Sequence, residues 1–174
     1  MIQKIIKYKY KGMLYDSYSQ LKQAAAHISF PKDAAAEILA GFGIEKLEEY
    51  PSLERCRELM QTQAGLRFVQ KRDAIRWVEI GNKKYGFDCA SEDITNFMAA
   101  YTPLLITGTG TVFYKVWLSE TEKGIVALTA ENMTAVYTAV ISGQMAAYTW
   151  YEGKKALIQN AEDIKALLEI TLED

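Results

Sequence analysis

The chain has 174 residues, with 49% hydrophobic and 24% charged side chains, an ordinary balance for one globular domain or two small ones. No apolar run nears the length of roughly 18 residues that crosses a membrane, and the start, Met-Ile-Gln-Lys-Ile-Ile-Lys-Tyr, has no apolar core of signal-peptide type. A net charge of −2 argues against a strongly basic nucleic-acid binder, although residues 1–76 hold 13 Lys/Arg against 9 Asp/Glu and residues 77–174 hold 7 against 13.

In chain order, Ile2 to Tyr10 is β-branched and aromatic with Ile6, Tyr8 and Tyr10 at period two, which predicts a strand. Lys4, Lys7, Lys9 and Lys11 would make it a solvated edge. Lys11-Gly12 is a turn, and Met13-Leu14-Tyr15 returns. Ser17 with Gln20 three residues on reads as a capping box for a helix to about His27. Phe30-Pro31 breaks it and opens a second helix, Lys32 to Ala40, with Asp33 near its positive end. Gly41 and Gly43 stop that helix, and Ile44 to Tyr50 reads as a strand.

Ser52 to Arg72 is a long charged segment whose apolar stripe, Leu53, Cys56, Leu59, Met60 and Leu66, predicts a connecting helix bent or broken at Gly65. Trp77–Ile80, Gly81-Asn82 and Lys84–Phe87 form a hairpin pattern. Ser91 would cap a helix with Ile94, Phe97, Met98 and Tyr101 on one face, limited by Pro103. Val112–Leu118 and Ile125–Leu128 make a second hairpin. Thr129 caps a helix whose Met133, Val136, Tyr137, Val140, Ile141 and Tyr148 share a face; it continues to Asn160 with a possible bend at Gly153. Glu162 to Leu168 is a short closing helix.

The sum is an α+β fold: a small N-terminal αβ unit over 1–50, a connecting helix over 51–75, and a C-terminal β-β-α-β-β-α domain over 76–174. In that domain two hairpins would form one antiparallel sheet with both helices on a face.

No catalytic, cofactor or metal residues emerge. His27 is the single histidine, and it follows three alanines near a helix end. Cys56 and Cys89 have no paired spacing, so zinc lacks a ligand set and a disulfide framework is not indicated. Gly108-Thr-Gly110-Thr lacks the lysine and the strand-then-helix setting of a phosphate loop. The pairs Glu92-Asp93 and Glu162-Asp163 sit where helices begin, which accounts for their charge without a catalytic dyad. Tyr114, Trp117, Trp150 and Tyr151 are the candidate interaction residues, as packing or interface anchors. Tyr114 and Trp117 have opposite strand parity, so the two point to different faces.

Two segments carry a resemblance. Ser29-Phe-Pro31 followed by Leu39-Ala-Gly-Phe-Gly-Ile44 is similar to the N-terminal region of many phage tail-fibre-associated proteins. The hairpin and helix from Lys71 to Met98, with Val112–Leu118, Val126–Glu131, Gln144, Tyr148 and Lys154–Ile158, resembles a domain of unknown function found in phage and prophage tail modules. The match runs over about 29–170 and departs at Asp88-Cys-Ala-Ser91, where that family has an aspartate-rich step.

The resemblance implies a non-enzymatic accessory protein, a minor tail or fibre component, made in the bacterial host cytoplasm. Its partner would be a tail or tail-fibre protein, with no nucleic acid or membrane and with homo-oligomerisation open. The alternatives are a tail-fibre assembly chaperone that leaves the particle, and a carbohydrate-binding module or enzyme using the aromatics.

Overall fold

A computed structural model describes residues 2–173, which leaves Met1 and Asp174 outside. Helix takes 50% and strand 23% of the chain, in antiparallel sheets, so the fold is α+β as expected. The chain divides into two compact units, one of residues 1–60 with 160–171 and one of 61–159 with 172–174. Each unit holds 10 Lys/Arg and 11 Asp/Glu, so the uneven charge along the sequence evens out once the chain is folded.

The first unit is built on a three-stranded antiparallel sheet. Strands β1 (Ile5–Tyr10), β2 (Met13–Tyr15) and β3 (Ile44–Glu49) lie in the order β2-β1-β3. The lysine-bearing strand is therefore central and not an edge, because β3 returns to pair along its full length, Ile5 to Tyr10 against Glu49 to Ile44. Lys7 and Lys9 stand on the solvent face, and two of the lysines gain partners. Lys7 pairs with Glu49, and the Lys4 ammonium lies 5.5 Å from the Tyr50 ring.

Tyr8 and Tyr10 point the other way, into a core with Leu21, Ala25, Phe30, Ala34, Leu39 and Ile44. Helix α1 (Tyr18–Ala24) starts at Ser17, whose hydroxyl accepts the Gln20 N–H at 3.3 Å. It stops three residues before His27, and the ring nitrogen Nε2 of His27 lies 3.3 Å from the Tyr10 hydroxyl. Helix α2 (Ala36–Gly41) begins four residues later than the proline suggested. Phe30 is the reason: its ring meets Tyr18 edge-on at 5.7 Å, and its carbonyl accepts the Tyr18 hydroxyl at 2.9 Å. That anchorage holds residues 31–34 in a turn, closed by the Ala34 N–H on the Pro31 carbonyl. Asp33 therefore lies outside the helix, and Glu37 takes the first-turn position.

Helix α3 (Leu53–Arg72) runs through Gly65 unbroken. Its first turns belong to the first unit, where Arg57 donates to the Ala161 carbonyl at 2.7 Å. There too Asp163 caps α6 (Ile164–Leu168) by accepting the Ala166 N–H at 2.7 Å.

The second unit is organised by a four-stranded meander. Strands β4 (Arg76–Ile80), β5 (Lys83–Phe87), β6 (Thr111–Trp117) and β7 (Lys123–Thr129) lie side by side in sequence order. Gly81 and Asn82 turn β4 into β5 with φ of 56° and 65°, the two left-handed residues that a tight hairpin requires. Alternate residues, Val78, Phe87, Val116 and Leu128, point to one face. Over them lie Phe97, Tyr101 and Leu104 of α4 (Ser91–Thr107) and Met133, Val136 and Val140 of α5 (Ala130–Asn160).

Two helix boundaries differ from the sequence reading. Ala90, not Ser91, is the N-cap residue of α4, and the Asp93 carboxylate accepts the Ala90 N–H at 3.2 Å. Pro103 does not end the helix, which goes on to Thr107. The carbonyl that proline leaves without a donor belongs to Ala99, on the exposed side where water reaches it, while Leu104 beyond the proline is buried.

In α5 the buried line is Met133, Val136, Val140, Ala147 and Ile158, the drift of a straight helix of 3.6 residues per turn. Tyr137 and Tyr148, expected on that face, are exposed. Neither Gly143 nor Gly153 interrupts α5.

One junction ties three elements of this unit. Arg76, at the start of β4, reaches back to the last turn of α3 and donates to the carbonyls of Lys71 and Arg72, at 2.8 and 3.3 Å. A cation on the orphan carbonyls of a helix end is favourable in charge and in hydrogen bonding. The guanidinium lies flat on α5 at Gly143, where an added Cβ would fall 2.0 Å from its Nε.

Gly143→Ala must therefore displace the guanidinium, and it is expected to cost about 1–3 kcal/mol in denaturant unfolding. Gly153→Ala, in open space on the same helix, is expected to gain about 0.5–1 kcal/mol. Stabilisation by both would show that Arg76 does not hold this junction.

Candidate contact face

The face of the meander turned away from α4 and α5 collects the residues of opposite parity. They are Trp77 and Glu79 on β4, Lys84 and Gly86 on β5, Phe113, Lys115 and Trp117 on β6, and Lys123, Ile125 and Ala127 on β7. The register runs Trp77, Gly86, Trp117 and Lys123 straight across all four strands. Beside that row, Lys115 faces Ile125, and Phe113 faces Ala127.

Gly86 sets the close packing of this row. A Cβ there would lie 2.8 Å from Ile75, 3.0 Å from Trp117 and 3.2 Å from Trp77. Glycine lets the Trp77 indole, the Trp117 Cβ and the Ile75 side chain close over the backbone of β5. Exposure is nonetheless high. Phe113 is 76% exposed, Ile125 71% and Trp77 41%. Large apolar side chains at this exposure on one face of a sheet make it the candidate contact surface.

One polar group fixes the Trp117 end. The Asp88 carboxylate accepts the Trp117 indole N–H at 2.8 Å and the Lys123 ammonium at 2.6 Å. The same ammonium lies 4.2 Å from the centre of the Trp117 ring. Burial opposes the charge of Asp88, but Lys123 and the indole outweigh it and hold the carboxyl below its ordinary value.

The four interaction residues expected from sequence do not share a surface. Tyr114 packs inward, stacked on Phe87 at 6.3 Å and edge-on to Phe97 at 5.8 Å. Burial, with Asp93 and Asp88 nearby, pushes its phenol up to about 12. Trp117 lies on the outer face. Trp150 and Tyr151 are on α5, against α3. Tyr151 stacks on Phe68 at 4.9 Å, and Trp150 sits between Lys71 and Lys154 with its indole N–H enclosed and unpartnered.

Trp77, Phe113 and Ile125 were missed by the sequence reading. The parity of Trp117 already pointed to Phe113, two residues earlier on the same side. Nothing in the sequence marked the side that the helices would leave bare.

A second concavity lies between α3 and α5, lined by Phe68, Arg72, Gln144, Met145, Tyr148 and Thr149, with a volume of about 340 Å³. Its cation is already committed, because Arg72 binds both carboxylate oxygens of Asp73, at 2.6 and 3.0 Å.

The groups with chemical potential are in structural use. Burial pushes the thiols of Cys56 and Cys89 up, away from the reactive thiolate, and each donates to a backbone carbonyl. Among the described residues no three His, Cys, Asp or Glu side chains gather to hold a metal, and no helix is long and apolar enough to cross a membrane. Comparison with protein-family models, curated proteins and solved structures finds no match.

The Asp88 linkage gives a test with a definite sign. A depressed carboxyl contributes stability above its unfolded value of about 4, and that contribution is lost as the pH falls through the folded value. Asp88→Asn is expected to cost about 0.5–1 kcal/mol at pH 7, modest because the pair is about one-third exposed. In urea unfolding the gap from the parent should close as the pH falls through the depressed range of the folded carboxyl. A gap independent of pH would show that the ion pair is not its source.

Proposed function

We propose that this chain works by protein–protein contact, as a non-enzymatic component of a phage or prophage tail. The outer face of the β4–β7 sheet is its docking surface. The observation that carries the contact reading is the exposure of Trp77, Phe113 and Ile125 on one face of the antiparallel sheet. Large apolar side chains on a supported backbone lose little freedom on binding and gain desolvation, which is how interface anchors work.

The tail setting rests on the resemblance of residues 29–170 to tail-module proteins. In that setting the partner is a tail or tail-fibre protein, met in the bacterial host cytoplasm and carried into the particle.

Co-expression with the fibre protein of the same gene module tests this. Phe113→Asp with Lys115→Glu changes two exposed residues on β6 and leaves the inner face intact. The double variant is expected to lose fibre capture by tenfold or more, on the order of a single interface anchor. Leu66→Asp, at an exposed apolar position on α3, should capture as the parent does. Equal capture by all three proteins would overturn the contact reading. Mass spectrometry of purified particles separates the roles. Peptides at stoichiometric level mean a tail component, whereas peptides confined to the lysate mean an assembly factor and contradict the virion assignment.

A further inference from the structure

The meander leaves two open edges, and they are not alike. Among the described residues β7 pairs with β6 alone, so alternate N–H and C=O groups along its other side have no strand partner. Natural sheets blunt such an edge with a proline, an interior charge, a bulge or a very short strand. β7, Lys-Gly-Ile-Val-Ala-Leu-Thr, is seven residues long and has none of these; its one charge, Lys123, stands at the first position. Its pairing with β6 is unbroken from Thr111–Thr129 to Trp117–Lys123, so no bulge turns the edge away.

The other edges of the chain are protected against their own copies. β2 has only three residues. Two β3 strands laid antiparallel would set Lys46 against its own copy about an axis at Lys46, or Glu45 against Glu49 about an axis at Leu47, like charges directly opposed in either register. Two β4 strands would set the Glu79 carboxylate against the Trp77 indole.

β7 meets its own copy without conflict. About a two-fold axis at Val126, Ile125 stands opposite Ala127 on the outer face, and Gly124 opposite Leu128 on the inner face. Lys123 stands opposite Thr129, so no charge meets a like charge.

We propose that β7 is a self-docking edge, through which two copies of this chain pair antiparallel into one continuous eight-stranded sheet. The pairing satisfies the free backbone groups of both edges and joins the two outer faces into one continuous surface. It stands on the topology and the strand sequence, independently of any tail partner.

Light scattering and sedimentation velocity of the whole chain read the result directly. The parent is expected at twice 19.6 kDa, and Ile125→Lys with Ala127→Lys at the single mass, because the variant sets lysine against lysine across the axis. Both sites are exposed, so the variant should keep the parent's far-ultraviolet spectrum and cooperative melt. Mixing it with Ile125→Glu, Ala127→Glu should restore the double mass. Phe113→Lys, on the same face but one strand inside the edge, should remain a dimer.

A parent that stays at the single mass into the hundred-micromolar range would overturn the proposal. So would a dimer that survives the double lysine variant, or one dissolved by Phe113→Lys. If the double variant does not fold, amide exchange of the parent decides. Alternate β7 amides should slow as concentration rises, and exchange independent of concentration refutes the pairing.

Discussion

A four-stranded antiparallel sheet has two faces, and in the second unit α4 and α5 cover one of them. That constraint organises the unit. It sends Val78, Phe87, Val116 and Leu128 under the helices, and by strict alternation it sends Trp77, Phe113, Trp117 and Ile125 to the other side. A face left to water would ordinarily carry polar residues. This one sets Trp77, Phe113, Trp117 and Ile125 among its charged residues, with a glycine that leaves room for the tryptophans and the Asp88–Lys123 pair anchoring one end. That departure from the usual alternation is what supports the proposed contact role.

The helices meet a matching demand at their ends. Helix α3 finishes in carbonyls that need donors, and Arg76 supplies them from the first residue of the sheet. Gly143 on α5 makes the room. The same strand thus starts the meander, closes α3 and reaches α5. The junction is made by a cation, two carbonyls and a missing Cβ, none of which an apolar pattern reveals.

Much of this was legible from the residues. Period-two alternation and the Gly81-Asn82 turn located both hairpins, and the helix periodicity of 94–101 and 133–140 named the core. Misreadings arose where a distant contact overrode a local preference. Phe30, held by Tyr18, delayed α2 past its proline. Packing of Leu104 carried α4 through Pro103. The lysines of β1 suggested an edge until β3, more than thirty residues later, paired with it. For the contact face, sequence parity separated Tyr114 from Trp117 but could not say which one the helices would bury. Trp150 and Tyr151 share that difficulty, since their place on α5 depends on Phe68 and Lys71 of α3.

The account stands or falls on whether the outer face is covered when the protein does its work. Hydroxyl-radical footprinting, on the free chain and on the chain bound to the proposed tail-fibre partner, measures this at single residues. Trp77 and Phe113 should label in the free protein and be shielded in the complex, while Met13, exposed in the first unit, should label in both. Labelling of Trp77 and Phe113 to the same extent in both states would contradict the claim that this face is the contact surface.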